Sequence, residues 1–167
     1  KSLIKEMKLD SSTLGFDISG KIIKVANMSQ NTIVLTDTGQ VYGTGRNNNG
    51  ELGLDNTDKK IKLTKMKLDS NTLGFDISGK IIDIACGHEH TIVLTDNGKV
   101  YSCGYNYYGL LGLGNTDNSN ILKEMDLSNI SSGNIIKIAC SYKSTFVLTD
   151  DGKVYGCGFN SQGILGD

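Results

Sequence analysis

Four cysteines, Cys86, Cys103, Cys140 and Cys157, and the pair His88 and His90 are the side chains with the widest chemical reach in this chain. Thiolates and imidazoles could hold zinc, and a histidine beside a nucleophile could move a proton. Their spacing argues against both. The cysteines are 17, 37 and 17 residues apart, with no C-x-x-C knuckle. Cys86 and Cys140 fall at one repeated position and Cys103 and Cys157 at another, and a further copy of the pattern fills these with Asn27 and Thr44. Small thiols packed between layers fit that variation better than a ligand set; a disulfide Cys86–Cys103 or Cys140–Cys157 stays open. His88 and His90 give way to Ser29 and Asn31 in one copy and to Tyr142 and Ser144 in another, with no nucleophile in a recognisable setting. His90 is expected to be a hydrogen-bonding turn residue and His88 an exposed loop residue.

Two further patterns invite a ligand. The oxygen-rich segments Asp55-Asn56-Thr57-Asp58 and Gly114-Asn115-Thr116-Asp117-Asn118 lack the regular acidic spacing and late bidentate Glu of a calcium loop. The loops Gly45–Gly53, Gly104–Gly112 and Gly158–Gly166 all read G-x-N-x-x-G-x-L-G. A phosphate loop needs a helix N-terminus and a Lys-Ser/Thr or a distant acid after its glycines, and none follows. Glycines for tight turns and asparagines bonding backbone explain a motif that occurs three times. The chain is therefore read as no enzyme, with no metal and no cofactor.

The elements that must position these residues are repeated hairpins. Thr91-Ile92-Val93-Leu94-Thr95 and Lys99-Val100-Tyr101 are strand-prone runs around Asp96-Asn97-Gly98, a turn that tolerates left-handed backbone. The same pattern stands at Thr32–Tyr42 and Thr145–Tyr155, so Gly39, Gly98 and Gly152 are expected at positive φ. Residues 7–26 and 66–85 are identical at 17 of 20 positions, an offset of 59. The third copy follows at an offset of 54, its linker shortened to Ser128–Gly133. Each copy yields four strands, A to D, exemplified by Lys80–Ala85, His90–Thr95, Lys99–Cys103 and Ile121–Leu127. Strand D recurs at Ile61–Leu68 and Leu3–Leu9. Ile82, Ile84 and Cys86 are placed on one face of strand A, with Ile81 and Ala85 on the other. Strands A and B are apolar on both faces, as in a sheet covered on both sides. No stretch carries a helical period with caps. The fold class is all-β: three four-stranded antiparallel repeats of about 50 residues, the arithmetic of β-propeller blades.

The G-x-N-x-x-G-x-L-G loops, with Ala85-Cys86-Gly87-His88-Glu89-His90 before the central hairpin, resemble the regulator of chromosome condensation repeat family. The resemblance spans essentially the whole chain and implies blades of a propeller, commonly seven in that family. The chain departs from it in lacking the proline often found before strand D, and in placing Thr44, Cys103 and Cys157 where an aromatic precedes the first motif glycine.

The chain is then one propeller segment, residues 1–167. Its blade repeats are 21–79, 80–133 and 134–167, with 1–20 as the final strand and linker of a preceding blade. It opens on Lys1, so the true start is expected to be processed or to lie outside it. Three blades are too few to close, since propellers take about four to eight. Either the chain is an excerpt of a longer propeller or several chains complete one another. Leu3, Ile4, Met7 and Leu9 are the expected assembly strand, pairing with a strand C across that boundary.

A formal net charge of -1 advertises neither nucleic acid nor an anionic membrane, and no apolar run has membrane-spanning length. The remaining class is a scaffold binding a protein partner, either another protein or copies of itself. The A–B and C–D loops share one face and gather Arg46, His88, Glu89, Tyr105, Tyr107, Tyr108, Tyr142 and Phe159, the residue types of binding hot spots. The alternatives are a structural protein assembling head to tail into a ring or filament, and, from the resemblance alone, a guanine-nucleotide exchange factor for a Ran-type GTPase with chromatin binding. The latter needs an inserted wedge and a basic tail, neither of which this sequence displays.

Overall fold

The computed structural model describes residues 4–166, so Leu3 of the expected assembly strand lies outside the described residues. Four strands, β1 (Ile22–Met28), β2 (Asn31–Thr36), β3 (Val41–Gly45) and β4 (Lys60–Lys65), form the first antiparallel sheet in that order. The second sheet is β5 (Ile81–Cys86), β6 (His90–Thr95), β7 (Val100–Gly104) and β8 (Ser119–Glu124). The third is β9 (Ile135–Cys140), β10 (Ser144–Thr149) and β11 (Val154–Gly158). β5 packs beside both β1 and β9, so each sheet is a blade with its first strand innermost.

The hairpins form as their turn residues require. Gly39, Gly98 and Gly152 have φ of 80°, 81° and 84°. The turn aspartate also ties the hairpin to the start of its blade. Asp37, Asp96 and Asp150 each accept a hydrogen bond from the backbone N–H that enters the blade, at Lys21, Lys80 and Asn134. The central strand β6 is buried at every residue, because its blade has a neighbour on each side.

Strand A departs from the simple alternation. The register against β6 breaks between Ile81 and Asp83, a bulge that shifts the face of every residue before it. Ile81, Ile84 and Cys86 are therefore the buried set, and Ile82 is 46% exposed. The same break recurs in β1 and β9 and leaves Ile23 and Ile136 exposed, so these strands are not covered on both sides. Strand D is also shorter than expected: β4 and β8 end before Met66 and Met125. Residues 4–9 form no strand, with Ile4 fully exposed and Met7 half exposed. A lone strand has no partner for its backbone groups.

Two one-turn helices, α1 (Ser11–Leu14) and α2 (Ser70–Leu73), stand where the sequence pattern predicts none. Asp10 and Asp69 cap them by accepting from Thr13 and Thr72 N–H, and left-handed Gly15 and Gly74 end them. Four residues are too few to show a helical period, although the capping residues are present in the sequence. The helices deliver Phe16 and Phe75 onto Tyr42 and Tyr101, the ring centroids 5.8 Å apart in both pairs. Both tyrosine hydroxyls accept a backbone N–H from the same linker, Ser19 and Ser78, at 3.0 Å. Each linker phenylalanine thus covers a tyrosine of the blade that follows it. The shorter third linker has no phenylalanine, and Tyr155 lines a cavity with Leu127 and Ile130 instead.

The core lies between blades. Ile33, Leu35, Val41 and Leu52 of the first blade pack on Ile84, Val93, Tyr101 and Leu122 of the second. Ile92, Leu94 and Val100 pack on Ile135, Ile138 and Val147 of the third.

Candidate partner-binding face

The face begins with the motif loops, whose asparagines hold them open. Asn47 is fully buried; its amide donates to the Asn56 and Asp58 carbonyls and its oxygen accepts from Leu52 N–H. Asn106 does the same with the Asn115 carbonyl and Leu111 N–H, and Asn160 accepts from Leu165 N–H. Asn56 and Asn115 close the oxygen-rich turns by bonding backbone two residues away on either side.

The rigid loops are latched to the next blade. The Glu51 carbonyl accepts from Thr91 Oγ1 at 2.7 Å and from the Cys103 thiol at 3.8 Å. The Leu110 carbonyl accepts from Thr145 Oγ1 at 2.7 Å and from the Cys157 thiol at 3.6 Å. This is what two of the cysteines do, and Thr44 occupies their position in the first blade. All four cysteines are free, and no disulfide joins Cys86 to Cys103 or Cys140 to Cys157. Burial pushes Cys86 up to about 12, Cys157 up to about 11, and Cys103 and Cys140 higher still. The thiolate is the reactive form. All four thiols are therefore expected to resist an aromatic disulfide reagent at pH 8 in the folded protein and to react at once in denaturant. Fast titration of two or more in the native protein would contradict this.

His90 is no turn residue. It opens β6, is fully buried, and sits 3.0 Å through Nε2 from Thr145 Oγ1. That hydroxyl already donates to Leu110, so Nε2 carries the proton. Burial lowers the imidazole to about 4, which keeps it neutral at physiological pH. His88 is not freely exposed either: it is half-buried and stacks on Tyr142, with centroids 4.1 Å apart.

The eight residues expected on this face form two groups that meet. Arg46 pairs with Glu89 across the first seam, and His88, beside Glu89, reaches Tyr142 across the second. Tyr105, Tyr107 and Tyr108 pack on one another, and Tyr108 lies 4.8 Å from Phe159. Lys143 joins the groups, its ammonium 4.9 Å from the Tyr108 ring, 5.8 Å from Tyr142 and 5.6 Å from Phe159. Tyr107 and Tyr142 remain 66% and 53% exposed at the crest. A cleft of about 290 Å³ opens beside Tyr142, Lys143 and Phe159.

Sequence reasoning missed Lys143 and Glu51. Lys143 stands at the repeat position of Glu89, so an ion pair at one seam is a cation over aromatic rings at the next. Glu51 is fully buried; Asn49 N–H reaches Oε2, Oε1 has no hydrogen-bond partner, and burial raises its pKa. The other copies place Leu110 and Ile164 there, and that contrast was the available signal.

Two forms of the Regulator of chromosome condensation (RCC1) repeat match the chain, one at residues 38–94 and 97–148, the other at 81–110 and 135–164. The serine/threonine-protein kinase Nek9 of Mus musculus is 33% identical over 89% of the chain and 14% of its own length. The ultraviolet-B receptor UVR8 of Arabidopsis thaliana is 33% identical over 87% of the chain and 31% of its own length. The Homo sapiens RCC1-like G exchanging factor-like protein is 30% identical over 85% and 30%. The chain spans less than a third of the length of these relatives. Among solved structures, human WBSCR16 superimposes with a TM-score of 0.71 at 26% identity, covering 84% of this chain and 34% of that one. Prp20p of Saccharomyces cerevisiae gives 0.70 at 18% identity, covering 87% and 35%, a likeness of fold. With the motif loops, the four-stranded blades and the family matches in agreement, the chain belongs to the RCC1 repeat family and forms part of a β-propeller.

Proposed function

We propose that this propeller segment is a non-catalytic scaffold that binds a protein partner through the loop face carrying Arg46, His88, Glu89, Tyr105, Tyr107, Tyr108, Tyr142 and Phe159. The observation that carries this reading is the continuous aromatic and cationic ridge across two seams, with Tyr107 and Tyr142 exposed at its crest. Aromatic anchors on a rigid frame give contact area at little entropic cost on binding. Tyr107→Ala and Tyr108→Ala are each expected to weaken a captured protein partner by about 1–3 kcal/mol. The measurement is the dissociation constant of that partner for wild type and variants. Unchanged affinity in both variants, with sensitivity on the opposite face, would defeat the assignment.

The mouse and human relatives named as exchanging-factor-like support a second reading, guanine-nucleotide exchange on a Ran-type GTPase. Faster release of a fluorescent GDP analogue from such a GTPase would distinguish exchange from passive binding.

A further inference from the structure

We propose that the ridge recognises an acidic segment of its protein partner, the Lys143 ammonium and the ridge tyrosine hydroxyls together taking a carboxylate. This rests on the loop-face reading above and names the chemistry of the partner.

The two seams differ in their charges. Gln30, Glu89 and Lys143 hold one repeat position, just before strand B, and Arg46, Tyr105 and Phe159 hold another, the second residue of the loop motif. At the first seam these positions give a matched pair, Arg46 with Glu89. At the second they give Tyr105 and Lys143, a cation with no acid opposite it. Glu89 is held by Arg46 and lies beside His88, and among the described residues no carboxylate stands at ion-pair distance from Lys143. Three rings surround its ammonium instead: Tyr108 at 4.9 Å, Phe159 at 5.6 Å and Tyr142 at 5.8 Å. Ring faces attract an ammonium but do not neutralise its charge. Lys143 is half-buried, so that charge is less screened than on a free surface lysine.

The tyrosines add to the excess of donors. Within the fold, the Tyr42 and Tyr101 hydroxyls each meet a backbone N–H. On the ridge, the hydroxyls of Tyr105, Tyr107, Tyr108 and Tyr142 have no hydrogen-bond partner among the described residues. An ammonium donates three hydrogen bonds and accepts none, and each phenol can donate one. A ligand fitted to that set is negative and rich in acceptors, and a carboxylate is both. The exposed Tyr107 ring beside it offers a face to an aliphatic or aromatic side chain. A nucleic acid is the poorer match, because it needs several cations along its phosphates. The ridge has Arg46, already spent on Glu89, and Lys143. The segment is therefore peptide, with a glutamate or aspartate next to an apolar residue.

Fluorescence anisotropy on the whole chain tests the proposal. The labelled probes are a peptide of alternating glutamate and leucine, its glutamine–leucine counterpart, and an oligothymidylate. The glutamate peptide is expected to bind about tenfold more tightly than the glutamine peptide, the worth of one charge-assisted hydrogen bond. Lys143→Gln should abolish that preference and leave the glutamine peptide as it was. Lys143→Arg, which keeps the charge, should retain it. Lys62→Gln removes the same charge from the exposed side of β4 and should change either affinity by less than about twofold. Tyr107→Ala should weaken both peptides alike. Equal binding of the two peptides, both sensitive to Tyr107→Ala, would overturn the acidic preference and leave the ridge as a docking surface. Indifference of both to Tyr107→Ala would overturn the docking face and the proposal with it. The proposal also falls if Lys143→Gln acts no more strongly than Lys62→Gln, if the oligothymidylate binds more tightly than the glutamate peptide, or if neither peptide binds at millimolar concentration.

Discussion

Tyr101→Ala is expected to lower the unfolding free energy by about 3–5 kcal/mol, the cost of emptying a large buried aromatic site. Tyr101 is fully buried between the first two blades, stacked on Phe75 and bonded to Ser78 N–H. For a chain of this length that loss is a fall of roughly 10 °C in Tm. Tyr101→Phe keeps the stack and drops one hydrogen bond, so about 1 kcal/mol is expected. Tyr155→Ala is the informative control: Tyr155 is only partly buried and has no phenylalanine above it. Its loss should be less than half that of Tyr101. Equal losses at the two sites, read from denaturant or thermal unfolding, would show that the linker cover contributes little.

Gly104→Ala is expected to cost about 3 kcal/mol or more, through backbone strain rather than a lost contact. Gly104 has φ of 115°, and an added Cβ would lie 2.3 Å from the Glu89 carbonyl oxygen and 2.7 Å from His90 Cα. Both neighbours are backbone, so β6 itself must move. Gly109 in the same motif has φ of 74° and open space around its Cβ position, and Gly109→Ala should cost only about 1 kcal/mol. Denaturant midpoints of the two variants separate a clash from a mere left-handed penalty. Similar values would remove the clash from the account.

The blades were legible because two periodicities coincide in the sequence. The alternating runs around Asp-x-Gly set the hairpins, and the 59- and 54-residue offsets set the repeat. What the residues did not reveal is where the alternation breaks. Ile81-Ile82 reads the same with or without a bulge, and only the pairing with β6 exposes Ile82. The end of strand D was hidden for a related reason: Met66 and Met125 are as apolar as any strand residue and still donate their N–H to Val41 and Val100, but the strand ends there and their side chains cover a glycine. On the candidate face the aromatic residues were visible as types. The cation that joins them was not, because Lys143 looks like an ordinary surface lysine until two blades bring Tyr108 and Tyr142 beside it. The place of His90 was equally hidden, because its partner, Thr145, is 55 residues away.

The latching of the first two motif loops to the following blade has a mechanical meaning. The loop that carries Tyr105, Tyr107 and Tyr108 ends in the Leu110 carbonyl, held by Thr145 of the next blade. A ligand pulling on those rings strains a hydrogen bond rooted in a buried central strand of the neighbour, not a free loop. Force applied at the crest is therefore shared across the seam, and stiffness of the binding surface becomes a property of two adjacent sheets. At each seam one carbonyl oxygen, that of Glu51 at the first and of Leu110 at the second, is gripped by both a threonine and a cysteine.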